Sequence, residues 1–174
     1  MKFFTKIQIS VVLACFILSG VLLFISALYM YNVMEKQFQD VASNIVKAGV
    51  QIIDPEKFLE LSQSLTETHP YYQELQSEFN ILYNSFNPKY LYTLVKTEDN
   101  TLKYIVDGMD TNADDFSAIG TEDSLDNYEP ELLVAFQGKP IVTKVLKSEQ
   151  WGELLSAYMP IMSKNNTVIG VVGC

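Results

Sequence analysis

The stretch YLYTLVKTEDNTLKYIV, residues 90–106, is where the hydrophobic pattern of the chain changes period. Residues 90–96 are rich in aromatic and β-branched side chains, Glu98, Asp99 and Asn100 carry turn chemistry, and residues 102–106 repeat the strand signature. Together they read as a β-hairpin. Upstream of this point the pattern is helical and downstream it is mostly strand, so the chain is expected to be α+β.

Working back from the hairpin, Tyr72, Leu75, Phe79, Leu82 and Phe86 recur in steps of three and four between Pro70 and Asn87-Pro88. This predicts a helix bounded by its prolines. Asp54-Pro55 is a capping residue followed by proline at the first helical position, which opens a shorter helix through Phe58, Leu59, Leu61 and Leu65. His69, the only histidine, stands at the helix boundary before Pro70. Before that, Tyr31, Met34, Phe38, Val41, Ile45, Ala48 and Ile52 form a helical seam, and Ala42, Val46, Gly49 and Ile53 widen it. A face this broad can pack on its own domain, pair with a second copy of the chain, or do both.

The seam follows directly on residues 7–31, IQISVVLACFILSGVLLFISALYMY, which carry no charge. At about 1.5 Å rise per residue this run crosses a hydrocarbon core of about 30 Å. Val12-Leu13-Ala14-Cys15 invites a lipoprotein reading, but the apolar run continues far past the cysteine and suits a spanning helix better. Lys2 and Lys6 precede the run and the first acidic residue is Glu35, so the positive-inside rule places the N-terminus in the cytoplasm. The expected organisation is a cytoplasmic tail at 1–6, a transmembrane helix at 7–31, a stalk helix at 32–53 and one extracytoplasmic domain at 54–174.

Working forward from the hairpin, residues 107–129 are polar and acidic and read as a long loop. Pro130 then opens a short helix that Gly138 ends. Three more strands are expected at 141–147, 153–162 and 167–173. These five strands make an antiparallel sheet with the long helices on one face. The loop and short helix would cover the other face around a small cavity, the default ligand site.

Charge narrows the partners. All 21 acidic residues and ten of the twelve lysines lie beyond residue 31, a net charge of −11 for that part. Such a surface argues against nucleic acid and against anionic lipid. The chain has no arginine, so the bidentate clamp for a ligand carboxylate is missing and an amine-bearing or neutral ligand is favoured over a di-acid. Cys15 and Cys174 lie in the apolar run and at the last position, which leaves no internal disulfide framework. With one histidine and no cysteine inside the folded part, neither a zinc site nor a Cys-His nucleophile can be assembled. Asp110, Asn112 and Asp114 match the first positions of a calcium loop, but Asp115 and Thr121 stand where its glycine and glutamate belong. No metal and no cofactor is expected.

Two segments carry a family resemblance. Tyr90-Leu91-Tyr92-Thr93-Leu94 with Tyr104-Ile105-Val106-Asp107-Gly108 form the first. The second runs from Trp151-Gly152 through Ser156-Ala157-Tyr158-Met159-Pro160-Ile161 to Val168-Ile169-Gly170-Val171-Val172-Gly173. Together they resemble the extracytoplasmic Cache sensor domains, PAS-like in topology, of bacterial methyl-accepting chemotaxis proteins, sensor histidine kinases and membrane diguanylate cyclases. The resemblance implies a receptor in which a small extracellular molecule binds a pocket and shifts the stalk helices, not an enzyme. In that family the last strand runs on through an Asp into a second membrane helix, whereas this sequence ends at Cys174. The expectation is either the front part of a receptor or a short anchored sensor completed by a partner.

The candidate ligand-binding residues are Tyr90, Tyr92, Tyr104, Asp107, Trp151, Ser156 and Tyr158; no catalytic residue is assigned. Asp107 ends an apolar strand and precedes Gly108, so its carboxylate either caps a turn or accepts hydrogen bonds from a ligand amine or hydroxyl. The tyrosines offer ring and hydroxyl to a pocket or simply fill the core. Trp151 sits beside Gly152 in a turn and either caps the pocket or packs the sheet corner. Ser156 and Tyr158 share a strand face by period two. Two other classes fit the sequence less well. A carboxylate-based hydrolase would need a distinguished acidic pair, which the spacing does not single out, and a pilin-like subunit would carry a glutamate near the start of the apolar helix, whereas the first acidic residue here is Glu35.

Overall fold

The computed structural model describes residues 2–97, 99, 101–148 and 152–174. The chain divides into two compact units, Met1–Gln37 and Phe38–Cys174. Helix α1 (Lys2–Ile52) is 51 residues long and contains no proline. Its apolar N-terminal part is the one helix among the described residues long and apolar enough to cross a membrane, and none of that apolar window is buried. A helix apolar on every side and covered by no protein matches the pattern of a membrane span.

In the second unit, the last turns of α1 bury Ala42, Ile45 and Val46. Of the expected pairing residues, Ile45 is only 2% exposed and belongs to the domain's own core, whereas Phe38 and Val41 stay 58% and 47% exposed. The broad face is therefore divided between its own domain and solvent. Helix α2 (Pro55–Ser64) starts as expected: the Asp54 carboxylate accepts from the backbone N–H groups of Glu56 and Lys57 at 2.9 and 3.3 Å, which satisfies two of the free donors of the first turn. Helix α3 (Pro70–Phe86) is capped by His69, whose Nδ1 accepts from the Tyr71 N–H. The Tyr71 hydroxyl in turn accepts from the Asp54 N–H at 2.7 Å and ties the starts of α2 and α3 together.

The strands are β1 (Tyr92–Lys96), β2 (Thr101–Asp107), β3 (Glu122–Ser124), β4 (Ile141–Val142), β5 (Leu146–Ser148), β6 (Gly152–Leu154), β7 (Ala157–Met162) and β8 (Val168–Gly173), with α4 (Glu131–Phe136) between β3 and β4. Six of them form one antiparallel sheet in the order β3-β2-β1-β8-β7-β4, and β5 and β6 pair separately. The five-stranded core β2-β1-β8-β7-β4 is the expected sheet. Three details differ. The short edge strand β3 lies inside the stretch read as loop, and the strands expected at 141–147 and 153–162 each break in two. The breaks have one cause: the buried Thr143 gives its N–H to the Ser156 carbonyl (2.8 Å) and takes the Ser156 N–H on its own hydroxyl (2.9 Å), so both chains leave the main sheet at that pair.

Each face of the sheet has its own core. On one, α1, α2 and α3 bring Ile45, Val46, Phe58, Leu61, Leu75 and Phe79 against Leu91, Ile161 and Val172. On the other, Leu132 and Ala135 of α4 pack on Leu94, Leu102, Tyr158 and Val171. The second, smaller core positions the candidate site.

Candidate functional site

The site is built around β8, and its central residue is a glycine. Gly173 stands opposite Tyr92 of β1 on one side and Tyr158 of β7 on the other. Directly opposed residues in an antiparallel pair point to the same face, so the glycine leaves a gap into which a neighbouring ring can fold. The Tyr92 ring does so: a Cβ at residue 173 would lie 2.5 Å from Tyr92 Cε2. From this position the Tyr92 ring shares the face of the sheet on which Tyr158 lies.

The register of β1 and β2 supplies the next residues. Tyr92 pairs with Asp107 and Leu94 with Tyr104, so two residues, Ile105 and Val106, face Thr93 alone. This bulge resets the side-chain alternation of β2. The buried Thr93 hydroxyl accepts from the Val106 N–H at 2.9 Å, which replaces part of the interrupted ladder. The Tyr104 ring then lies 5.4 Å from that of Tyr92, edge to face. Tyr128, which follows the short 3-10 turn Leu125–Asn127, completes the group: its ring is 6.5 Å from Tyr92 and its hydroxyl 2.5 Å from that of Tyr104. Burial raises the pKa of all four phenols, Tyr92, Tyr104, Tyr128 and Tyr158, so they remain neutral hydrogen-bonding groups.

Beside Tyr128 stands Glu129, two residues before α4. One of its carboxylate oxygens accepts from the Ser156 hydroxyl at 3.0 Å and the other from the Tyr158 hydroxyl at 2.8 Å. Neither Tyr128 nor Glu129 was among the residues expected from sequence, because both lie at the end of the stretch read as loop. The Tyr128-Glu129-Pro130 step into a helix is the signal that could have singled them out.

Of the expected residues, Tyr92, Tyr104 and Tyr158 come together in this cluster, and Ser156 joins them through Glu129. Asp107 is buried, 4% exposed, at the end of β2. Its two oxygens accept from the backbone N–H groups of Met109 (2.9 Å) and Ser117 (3.0 Å), so in this structure it closes a turn and holds the covering segment to the strand end. Burial outweighs those two bonds and raises its pKa. Tyr90 precedes β1 with the Lys89 ammonium 5.4 Å from its ring centre, and burial near Asp115 and Tyr83 raises its pKa. Trp151 lies outside the described residues.

An open cleft of about 580 Å³ lies elsewhere, lined by Asp99, Thr101, Glu122, Asp123, Ser124, Leu125 and Asp126. Its size does not make it the better site, since Asp99, Glu122 and Asp126 are solvated carboxylates at the sheet edge. No group of three or more His, Cys, Asp or Glu among the described residues could hold a metal ion.

No family model and no curated protein matches the chain. Among solved structures, it is similar to the ligand-binding domain of the Campylobacter jejuni chemoreceptor Tlp3 in complex with 4-methylisoleucine, at 14% identity and a TM-score of 0.45, over 82% of this chain and 51% of that one. It is also similar to the sensor domain of the V. cholerae histidine kinase DctB, at 14% identity and a TM-score of 0.46, over 83% and 56%. The chain thus spans little more than half the length of these two solved domains, which come from receptors of two kinds, a chemoreceptor and a histidine kinase.

Proposed function

We propose that the chain is the membrane-anchored, extracytoplasmic sensing part of a bacterial signal-transduction receptor, and that its role is binding rather than catalysis. Residues 1–6 form the cytoplasmic tail, 7–31 the membrane helix, 32–53 the stalk and 54–174 the sensor domain. A small polar metabolite binds between the sheet and the segment 107–138, in contact with Tyr92, Asp107 and Tyr158. The observation that carries this reading is the tyrosine cluster with its carboxylate: neutral hydroxyls and one acidic group gathered on the covered face of a PAS-like sheet are the groups that read a polar solute. The Cache resemblance of the sequence points the same way.

A chain of hydrogen bonds supports a relay from the site to α1. Glu129 is bonded to Ser156, Ser156 is paired with Thr143, and the Thr143 carbonyl accepts from the Gln39 side chain of α1 at 3.0 Å. Displacing Glu129 would therefore tug on the stalk helix. A second copy would pair through the exposed Phe38 and Val41 of the same helix. The test is a thermal-shift screen of the full-length chain in detergent against amino acids, amines, sugars and organic acids. A ligand at a hundred times its Kd stabilises by about 2.7 kcal/mol, well within detection. A panel in which no compound raises the melting temperature refutes the sensing role.

A further inference from the structure

We infer that the chain carries a second binding site, at the opposite end of β8 from the tyrosine cluster, and that it takes a small acid with an apolar body and a single carboxylate. The site is a cleft of about 330 Å³ lined by the end of α4 and the ends of β1 and β8. Its position follows from the strand pairing. The β1–β8 ladder stops at Leu94–Val171, so Lys96 and Val168 lie on strand ends that no longer pair with each other. The register of β8 also slips: Ile161 pairs with Gly170 and Met162 with Val168, which makes Ile169 the extra residue of a bulge. Helix α4 divides its faces here. Leu132 and Ala135 are buried in the smaller core, whereas Leu133, Phe136 and Gln137, spaced by three and four, line the cleft. Gly138, at a φ of 89°, ends the helix, and a Cβ there would lie 3.6 Å from Val168 Cγ2, so α4 and β8 meet at one wall. Neither Glu129 nor any of the four clustered tyrosines lines this cleft, which sets it apart from the site described above.

The lining selects the ligand. Leu133, Phe136, Val168 and Ile169 are only half-buried, so an apolar body seated against them takes their remaining exposed surface out of water. Lys96 lies on the same face of β1 as Tyr92 and Leu94 by period two, and its long stem lets the ammonium stand at the rim of the cleft. Among the described residues Lys96 has no ion-pair partner; the pairs present are Lys103–Glu122, Lys147–Glu153 and Lys164–Glu56. No acidic residue lines the cleft, although the chain beyond residue 31 carries a net charge of −11. One cation and the neutral amide of Gln137 suit one carboxylate. A di-acid would set its second charge against the apolar wall or in the field of the acidic surface, and an amine would meet Lys96 as a like charge. The volume stands at the low end for small-molecule sites, which limits the apolar body to roughly one ring or a short branched chain.

The experiment follows the fluorine NMR signal of para-fluorophenylacetate titrated into the full-length chain in detergent, with para-fluorophenylacetamide and para-fluorophenethylamine as matched probes. The amide keeps the ring and removes the charge, and the amine reverses the charge. Lys96→Met is the test variant: the side chain is exposed and holds no ion pair among the described residues, so the fold should survive its loss. Comparing variants also cancels uptake of the probes by the micelle. The acid is expected to bind, with the amide and the amine weaker. Lys96→Met is expected to weaken the acid about three- to ten-fold, between the effects of a surface ion pair and a desolvated one, and to leave the amide unchanged. Lys96→Arg, which keeps the charge, should retain the acid, and Phe136→Leu, which removes the ring from the wall, should weaken acid and amide alike. Acid affinity unchanged in Lys96→Met overturns the assignment of Lys96. Equal binding of acid and amide, or tighter binding of the amine, overturns the carboxylate, and no binding of the acid at millimolar concentration overturns the site. If Tyr158→Phe weakens the acid and Lys96→Met does not, the acid is held at the tyrosine cluster, and the second site falls while the sensing role stands.

Discussion

Replacing Gly173 by alanine should damage the site through one ring. The added Cβ would lie 2.5, 2.8 and 3.1 Å from Cε2, Cζ and the hydroxyl oxygen of Tyr92, well inside contact distance for the two carbons, so the ring must rotate away or the strands must part. Rotation breaks the edge contacts to Tyr104 and Tyr128. Gly173 has no left-handed backbone angle to protect, so alanine would otherwise stabilise by about 0.4–1 kcal/mol through the unfolded chain. Overpacking of this kind costs about 1–3 kcal/mol and should prevail, lowering Tm by about 2–8 °C for a domain of this size. The assay is thermal unfolding of the full-length chain in detergent, with Gly173→Ala repeated in a Tyr92→Leu background. Removing the ring removes the clash, so the alanine should cost little there, a coupling of about 1 kcal/mol or more between the two positions. A Gly173→Ala protein as stable as the parent, or effects that simply add, would refute the reasoning.

Four further outcomes are expected. The raised pKa of Asp107 means that the folded state holds a proton the unfolded chain releases, so its contribution to stability falls as pH rises from the ordinary carboxyl value of about 3.8 through the higher folded value; Asp107→Asn should remove that slope from the dependence of Tm on pH, and an unchanged slope would sink the attribution. Glu at both Phe38 and Val41 should abolish self-association in sedimentation while leaving the melting temperature near the parent's, whereas Ile45→Glu, at a 2% exposed position, should unfold the domain; a parent that is monomeric at high concentration would end the dimer reading. Lys164→Cys should react with an impermeant thiol reagent on intact cells, since residue 164 is exposed and its ion pair to Glu56 contributes little; Cys174 stays silent because burial pushes its thiol up to about 12, and reaction only after lysis would reverse the topology. Gln39→Leu should keep ligand affinity within a few-fold yet remove the ligand-induced change of a spin label at Lys36, and a label response equal to the parent's would discard that route.

What could be read from the sequence was local. The helix starts at Asp54-Pro55 and Pro70 and the ends at Asn87 and Gly138 follow from groups within four residues of one another, and each stands where proline geometry or capping puts it. The change from helical to alternating period at residue 90 identified the hairpin, because periodicity needs only a window of neighbours. The single uncharged run of residues 7–31 and the acidic balance beyond it were legible for the same reason: composition needs no partner.

The rest depended on pairing between distant residues, and only the folded chain could decide it. Thr143 and Ser156 are thirteen positions apart, and nothing in either strand's own pattern shows that their mutual bonds split both. The bulge at Thr93 shifts Ile105 and Val106 by one place and thereby sets which residue faces Tyr92. Asp107 was conspicuous as an acid at a strand end, but whether it met a ligand or a backbone N–H depended on where residue 117 came to rest. Glu129 had no helical or strand period to mark it. Its position became chemical only when β7 brought Ser156 and Tyr158 within hydrogen-bond distance, because a half-buried carboxylate is defined by what surrounds it in space.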